Sequence, residues 1–203
     1  ACPDTYKKPP AADLLLVTHG HYDHIGDAVE IGRRMKPKTV GIFETCKYLE
    51  GKGVPNTVPM NKGGSLEFGG IRVTMVHADH SCGILDGDRI VYGGEAAGYV
   101  LRFEDGTTVY HAGDTAVFGD MRLIGELYKP DITMIPVGDV YTMGAKEAAL
   151  ACRLIGAKTV IPMHHGTFPL LSGTPGAFRE AVKDLPDLKI ADLKPGQTFN
   201  PVR

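Results

Sequence analysis

Thr18-His19-Gly20-His21-Tyr22-Asp23-His24 follows directly on the apolar run Leu14-Leu15-Leu16-Val17, so a short buried strand empties into a loop dense in metal-capable side chains. In an extended segment, side chains two apart point the same way, which lets His19 and His21 close on one cation. Asp23 and His24 then serve a neighbouring cation once the chain has turned. Ile25-Gly26-Asp27 opens a helical pattern with Ala28, Val29, Ile31 and Met35 inward, which sets His24 at a helix N-terminus. One histidine alone would read as part of a polar loop. Three imidazoles and a carboxylate at this spacing match the donor set of Zn²⁺, Mn²⁺ or Fe²⁺.

Outward from this loop the pattern alternates. Lys38-Thr39-Val40-Gly41-Ile42-Phe43 reads as a buried strand, and Glu44 to Gly51 as a short helix. Ser65 to Phe68 and Ile71 to Val76 form a hairpin across Gly69-Gly70, with His77-Ala78-Asp79-His80 at its end. A second hairpin pairs Gly98 to Phe103 with Thr107 to Tyr110 across Asp105-Gly106, and His111 to Asp114 follows it. Phe118 to Tyr128 is helical, Asp131 to Val137 a strand, Gly144 to Ile155 a helix, and Lys158 to Met163 a strand that ends on His164. The pattern alone establishes a mixed α/β protein whose ligand candidates all sit at strand exits, where α/β clefts form.

Three of these exits extend the ligand set. Alternation along Ile71-Val73-Met75-His77 puts His77 among apolar side chains, a packed or hydrogen-bonded position, and favours His80 as the ligand. Asp79 reads either as an acceptor fixing an imidazole tautomer or as a solvated turn residue. Asp114 is the natural bridge, since a carboxylate has two oxygens to share between cations and an imidazole offers one lone pair. His165 faces away from His164 in an extended chain, and His111 sits behind the ligands. Lys62-Gly63-Gly64-Ser65 lacks phosphate-loop spacing and reads as a plain turn. Gly93 to Gly98 reads as a connection beside the cleft.

His19-x-His21-x-Asp23-His24 resembles the signature of the metallo-β-lactamase-fold hydrolases. The likeness continues in order through His80-Ser81-x-Gly83, His111-Ala112-Gly113-Asp114-Thr115 and Pro162-Met163-His164, almost the whole chain. With Met143-Gly144 and Thr167-Phe168-Pro169, the chain is similar to the "metal-dependent hydrolase" branch near L-ascorbate-6-phosphate lactonase. This resemblance implies a four-layer α/β/β/α sandwich of two mixed sheets, as a single hydrolase domain over residues 1–203. It implies two divalent ions, zinc first with manganese or iron as alternatives. His19, His21, His80 and Asp114 would hold one ion, and Asp23, His24, Asp114 and His164 the other. A water bridging such a pair falls in pKa from 15.7 toward ~7 and becomes a nucleophile that Asp23 can orient. The family normally opens with two further strands. Ala1 is therefore expected to be a cleavage-generated terminus, with the N-terminal fragment lost or retained as a separate chain.

Composition bounds the rest. At 203 residues, 43% hydrophobic and 23% charged, the chain fits a globular protein with a full core. A formal charge of −2 argues against non-specific nucleic-acid binding. No apolar stretch approaches the roughly 20 residues of a membrane span, and a cytoplasmic enzyme is the default. Cys2, Cys46, Cys82 and Cys152 form no C-x-x-C pair and read as reduced, mostly buried thiols, Cys82 as structural filler despite its nearness to His80. The leading expectation is a dinuclear hydrolase acting on a small-molecule ester, lactone or phosphoester. The alternatives are a nuclease or cyclic phosphodiesterase, or a metal-binding protein without turnover, and self-association stays open.

Overall fold

Runs of alternating and helical hydrophobicity become strands and helices in an order that brings the ligand-bearing loops to one edge. A computed structural model describes residues 3–201, so the expectations for Ala1 and Cys2 fall outside the described residues. The order is α1 (Asp4–Lys7), β1 (Leu14–Leu16), α2 (Tyr22–Ile25), α3 (Ala28–Met35), β2 (Lys38–Ile42), α4 (Phe43–Gly51) and β3 (Thr57–Met60). Then come β4 (Ser65–Phe68), β5 (Ile71–His77), β6 (Gly83–Asp86), β7 (Arg89–Tyr92), β8 (Ala97–Arg102) and β9 (Thr108–His111). The remainder is α5 (Met121–Tyr128), β10 (Ile132–Pro136), α6 (Ala145–Ile155), β11 (Thr159–Met163), α7 (Pro175–Ala181) and β12 (Lys189–Ile190).

The smaller main sheet has the order β1-β2-β3, and both its pairings are parallel. The larger has the order β12-β11-β10-β9-β8-β5-β4, antiparallel from β4 to β9 and parallel from β9 to β12. Only the larger sheet is mixed, a correction to the expectation of two mixed sheets. Parallel strands need crossovers, and the helices between β1, β2 and β3 supply them. Sequence reading also left out β3, the β6–β7 hairpin, α7 and β12, which are short or partly exposed.

Three apolar clusters define the layers. Leu14, Leu16, Val40, Ile42, Val58 and Met60 of the small sheet meet side chains of β4, β5 and β8, including Val73, Met75 and Tyr99, between the sheets. Ala28, Leu49, Val54 and Ile84 pack with Leu15 and Val17 on the small sheet's outer side, under α3, α4 and the hairpin. Met121, Ile124, Ala148, Cys152 and Phe178 of α5 to α7 cover the large sheet through Val100, Tyr110, Ile135 and Val160. The result is the four-layer sandwich that the family resemblance implies.

Because β5 and β9 each pair antiparallel with β8, and β9 to β11 are parallel, β5, β9 and β11 run in one direction. Their C-terminal ends therefore share one edge. The small sheet is locked to that edge by the Tyr99 hydroxyl, which donates to the Val17 carbonyl at 2.7 Å, and by the Ala97 N–H, which donates to the Thr18 carbonyl at 2.9 Å.

Close contact between α5 and α6 rests on Gly125, where an added Cβ would lie 2.1 Å from the Ile155 carbonyl oxygen. Gly125→Ala should cost about 1–3 kcal/mol in chemical denaturation, as overpacked sites do. Gly51→Ala, with nothing within 4 Å of its new methyl, should be neutral or stabilising by up to about 1 kcal/mol.

Candidate metal centre

Four strand exits deliver the candidate ligands. The loop after β1 carries His19 and His21, and the single turn α2 carries Asp23 and His24. His80 follows β5, Asp114 follows β9, and His164 follows β11. Gly20 sits tightly beneath this loop: a Cβ there would meet Ile84 Cγ1 at 2.4 Å, and its N–H donates to Cys82 Sγ at 3.2 Å. Cys82 thus braces the loop as a buried structural thiol. Gly113 lies at φ 67°, and a Cβ would come within 2.7 Å of the Ala97 carbonyl, so the turn into Asp114 is restricted to glycine. His164 itself holds φ 54°, an unfavourable region for a side-chain-bearing residue, of the kind that concentrates at functional sites.

The donor atoms fall into two groups, His19, His21 and His80 in one, and Asp23, His24, Asp114 and His164 in the other, with all donors of a group within 4.8 Å of one another. In the first, His21 Nδ1 lies 3.1 Å from His19 Nε2 and 3.2 Å from His80 Nε2. The far nitrogens are held from behind, His19 Nδ1 by the Thr18 hydroxyl at 3.0 Å and His21 Nε2 by the Ser81 hydroxyl at 3.1 Å. Such outer contacts fix ring orientation in metal sites. In the second group, Asp23 Oδ2 is 3.4 Å from His24 Nε2 and 3.5 Å from His164 Nε2.

Asp114 joins the groups. Its Oδ2 is 3.1 Å from both His24 Nε2 and His164 Nε2, 3.8 Å from His19 Nε2 and 3.9 Å from His80 Nε2. The carboxylate is only 3% exposed. Its other oxygen, Oδ1, and His24 Nε2 are buried without a hydrogen-bond partner. Polar atoms held close, yet not aligned to bond one another, are what a cation-binding cradle leaves when its donors aim at common points. The imidazole and carboxylate donor set fits a divalent transition metal.

Electrostatics agree with that fit. Burial first, then the charge of His24, pushes the His19 imidazole down to about 2. Burial likewise lowers His21 and His80, so these rings are neutral and offer lone pairs at neutral pH. Burial opposes ionisation of Asp114, but His164 and His24 outweigh it and hold the carboxyl well below the usual range. The Asp114 carboxylate in turn raises His164.

The other candidates lie outside both groups. His77 is exposed at the end of β5, its Nδ1 3.0 Å from Lys62 Nζ and its ring against Phe118, rather than packed among apolar side chains. Alternation misplaces it because β5 is buried on both faces from Val73 to Val76 and surfaces again at His77. His111 Nδ1 accepts from the Gly113 N–H at 3.1 Å and so braces the turn that presents Asp114. His165 belongs to neither group. Gly93 to Gly98 does not line the cleft. Above the donors lies a cleft of about 730 Å³, walled in part by Tyr22, Leu85, Ile90 and Tyr141. Exposed apolar residues on a hairpin and a loop carried no sequence signal for this.

A four-layer α/β sandwich with imidazoles and a buried carboxylate gathered at its strand exits is the architecture of a metallo-hydrolase. A domain model described as "Beta-lactamase superfamily domain" matches residues 1–165. A UPF0173 metal-dependent hydrolase of Koribacter versatilis is 53% identical over 200 residues, covering 98% of this chain and 84% of the relative. Another, from Solibacter usitatus, is 54% identical over 185 residues, covering 91% and 80%. Among solved structures, Igni18, described as a novel metallo hydrolase from the archaeon Ignicoccus hospitalis, is similar with TM-score 0.81 and 37% identity over 93% of this chain and 78% of that one. The chain belongs to the β-lactamase superfamily and, within it, to the UPF0173 metal-dependent hydrolases.

For the metal-free protein, acid should be destabilising. His19, His21 and His80 titrate below their ordinary 6.5 when folded, so the unfolded chain binds more protons as pH falls below that value, and stability present above it is lost. Asp114, also held low, extends the loss below 3.8, while His164, raised, opposes it. The melting temperature of the metal-free chain should fall steadily from about pH 7 to about pH 4. A flat profile would mean that the rings are solvated.

Proposed function

We propose that the chain is a dinuclear hydrolase of small esters, lactones or phosphoesters. His19, His21, His80 and Asp114 would hold one divalent cation, and Asp23, His24, Asp114 and His164 the other, with zinc the first candidate for this donor set. The observation that carries this reading is the place of Asp114 Oδ2, within 3.9 Å of four imidazole nitrogens drawn from both groups. Divalent cations, when bound, supply Lewis acidity toward the scissile carbonyl or phosphoryl oxygen and lower the pKa of water.

The chain's own residues do the rest. Asp114, buried and ionised, balances positive charge from within the protein and fixes the spacing of the two groups. Asp23 lines the cleft with a partly accessible carboxylate, placed to accept the proton of the attacking water and return it to the leaving group. In ester hydrolysis the water oxygen bonds to the acyl carbon, the C–O bond breaks, and the leaving alcohol takes the proton. Among the described residues, no helix is long and apolar enough to cross a membrane. The buried free thiols Cys46, Cys82 and Cys152 fit the reducing cytoplasm proposed for the enzyme.

Elemental analysis after reconstitution tests the metal count. The protein should carry about two zinc or manganese ions per chain and hydrolyse at least one substrate in a panel of lactones, esters, thioesters and phosphoesters. Asp114→Ala should lose both ions and fall by at least about 100-fold in kcat/KM, and His164→Ala should empty mainly one site. His77→Ala should lose neither. One ion per chain, or equal loss in the Asp114 and His164 variants, would overturn the dinuclear model.

A further inference from the structure

The cleft over the donor cluster is unusual for what its walls lack. Lys and Arg are absent from its lining, and apart from the donor-cluster residues the hydrogen-bonding side chains there are Ser81 and the tyrosine hydroxyls. The Ser81 hydroxyl is already engaged with His21. A phosphorylated substrate body is ordinarily gripped by guanidinium, ammonium or a row of backbone amides. Lys62 is spent on Glu95 and His77 and does not line the cleft.

The walls are instead large and apolar. In the β6–β7 hairpin, Ile84 and Val91 turn inward against the core under the small sheet, and alternation forces Leu85 and Ile90 to the opposite face. Leu85 and Ile90 are direct cross-strand partners, so they form one continuous ridge, 58% and 80% exposed. Across the cleft, the Tyr22 ring meets Phe168 edge-on at 6.2 Å between centroids, and Leu170 stands 64% exposed beside them. Tyr141 is set by a tight loop: Asp139 and Val140 both take positive φ, the Val140 N–H donates to Asp139 Oδ1 at 2.7 Å, and the Ser172 hydroxyl donates to Asp139 Oδ2 at 2.8 Å. A β-branched residue in that conformation is strained, and strain of this sort is kept where a position has to be held.

From these walls we infer that the substrate is an ester, thioester or lactone with an uncharged aliphatic or aromatic body, which lies along the Leu85–Ile90 ridge and against Tyr22 and Phe168. The inference rests on the hydrolase reading above and narrows it to acyl substrates. Water adds its oxygen to the acyl carbon, the C–O or C–S bond breaks, and the alcohol or thiol leaves with the proton. The ridge contributes binding that grows with apolar surface, about a fourfold gain for each methylene buried.

The metal-loaded enzyme should be assayed on p-nitrophenyl acetate, butanoate, hexanoate and octanoate, with p-nitrophenyl phosphate and bis(p-nitrophenyl) phosphate alongside. In parallel, binding of butanoate, hexanoate and octanoate should be measured by calorimetry, which needs no turnover. The expected result is a kcat/KM that climbs about fourfold per methylene and exceeds that of both phosphate esters, with carboxylate affinity rising in step. Ile90→Asp, at a highly exposed position that folding does not depend on, should flatten both slopes. Turnover without any chain-length slope, or phosphate esters as the best substrates, would overturn the inference and leave the hydrolase reading intact. Tightening of carboxylate binding without turnover of any ester would support the apolar cleft and overturn the hydrolase reading. If Ile90→Asp instead dissociates a dimer and leaves the slopes unchanged, the ridge serves a second copy of the chain and the inference falls.

Discussion

A carboxylate that is 3% exposed cannot stay ionised unless positive charge or strong donors surround it, and the arrangement of this protein follows from satisfying Asp114. Four imidazoles reach its Oδ2 from three different loops, and neither its Oδ1 nor His24 Nε2 has a hydrogen-bond partner. The neutral rings of His19, His21 and His80 offer lone pairs beside this buried anion. The site is thus only partly compensated by protein atoms, and its donor set fits a divalent metal. A functional centre and a local electrostatic deficit are here the same object.

Holding that object together takes both sheets. The large sheet brings three ligand-bearing ends to one edge because β5, β9 and β11 run the same way. The small sheet brings the fourth, and the Tyr99–Val17 and Ala97–Thr18 hydrogen bonds fix its register against the large one. Close backbone approach at Gly20 and Gly113 lets the loops sit near enough for their side chains to meet. Displacement by even one methyl at either point would move a donor, which is why the site sits on strand ends and not on free loops.

Much of this was legible in the sequence, for identifiable reasons. The His19 to His24 loop stood out because side chains two apart in an extended segment share a face, and Asp114 because a carboxylate offers two oxygens; the structure brings these residues together. The buried strands β10 and β11 announced themselves through largely apolar runs, and β5 through alternation and its hairpin across Gly69-Gly70. Alternation misjudged only the burial of His77, since it assumes one solvated face whereas β5 is buried on both from Val73 to Val76; the ring is hydrogen-bonded and outside both donor groups, as read. The β6–β7 hairpin escaped because its turn, Gly87-Asp88, joins strands of only four residues with three large apolar side chains exposed. Two of those three, Leu85 and Ile90, line the cleft above the donors, so sequence pattern did not show that wall.

The most direct test of the account is anomalous diffraction from crystals of the metal-loaded protein, collected on both sides of the zinc absorption edge. Two anomalous peaks should appear, one beside His19, His21 and His80 and one beside Asp23, His24 and His164, with the Asp114 carboxylate between them. A single peak, or two peaks of which neither touches Asp114, would contradict the claim that this buried carboxylate is shared by two ions.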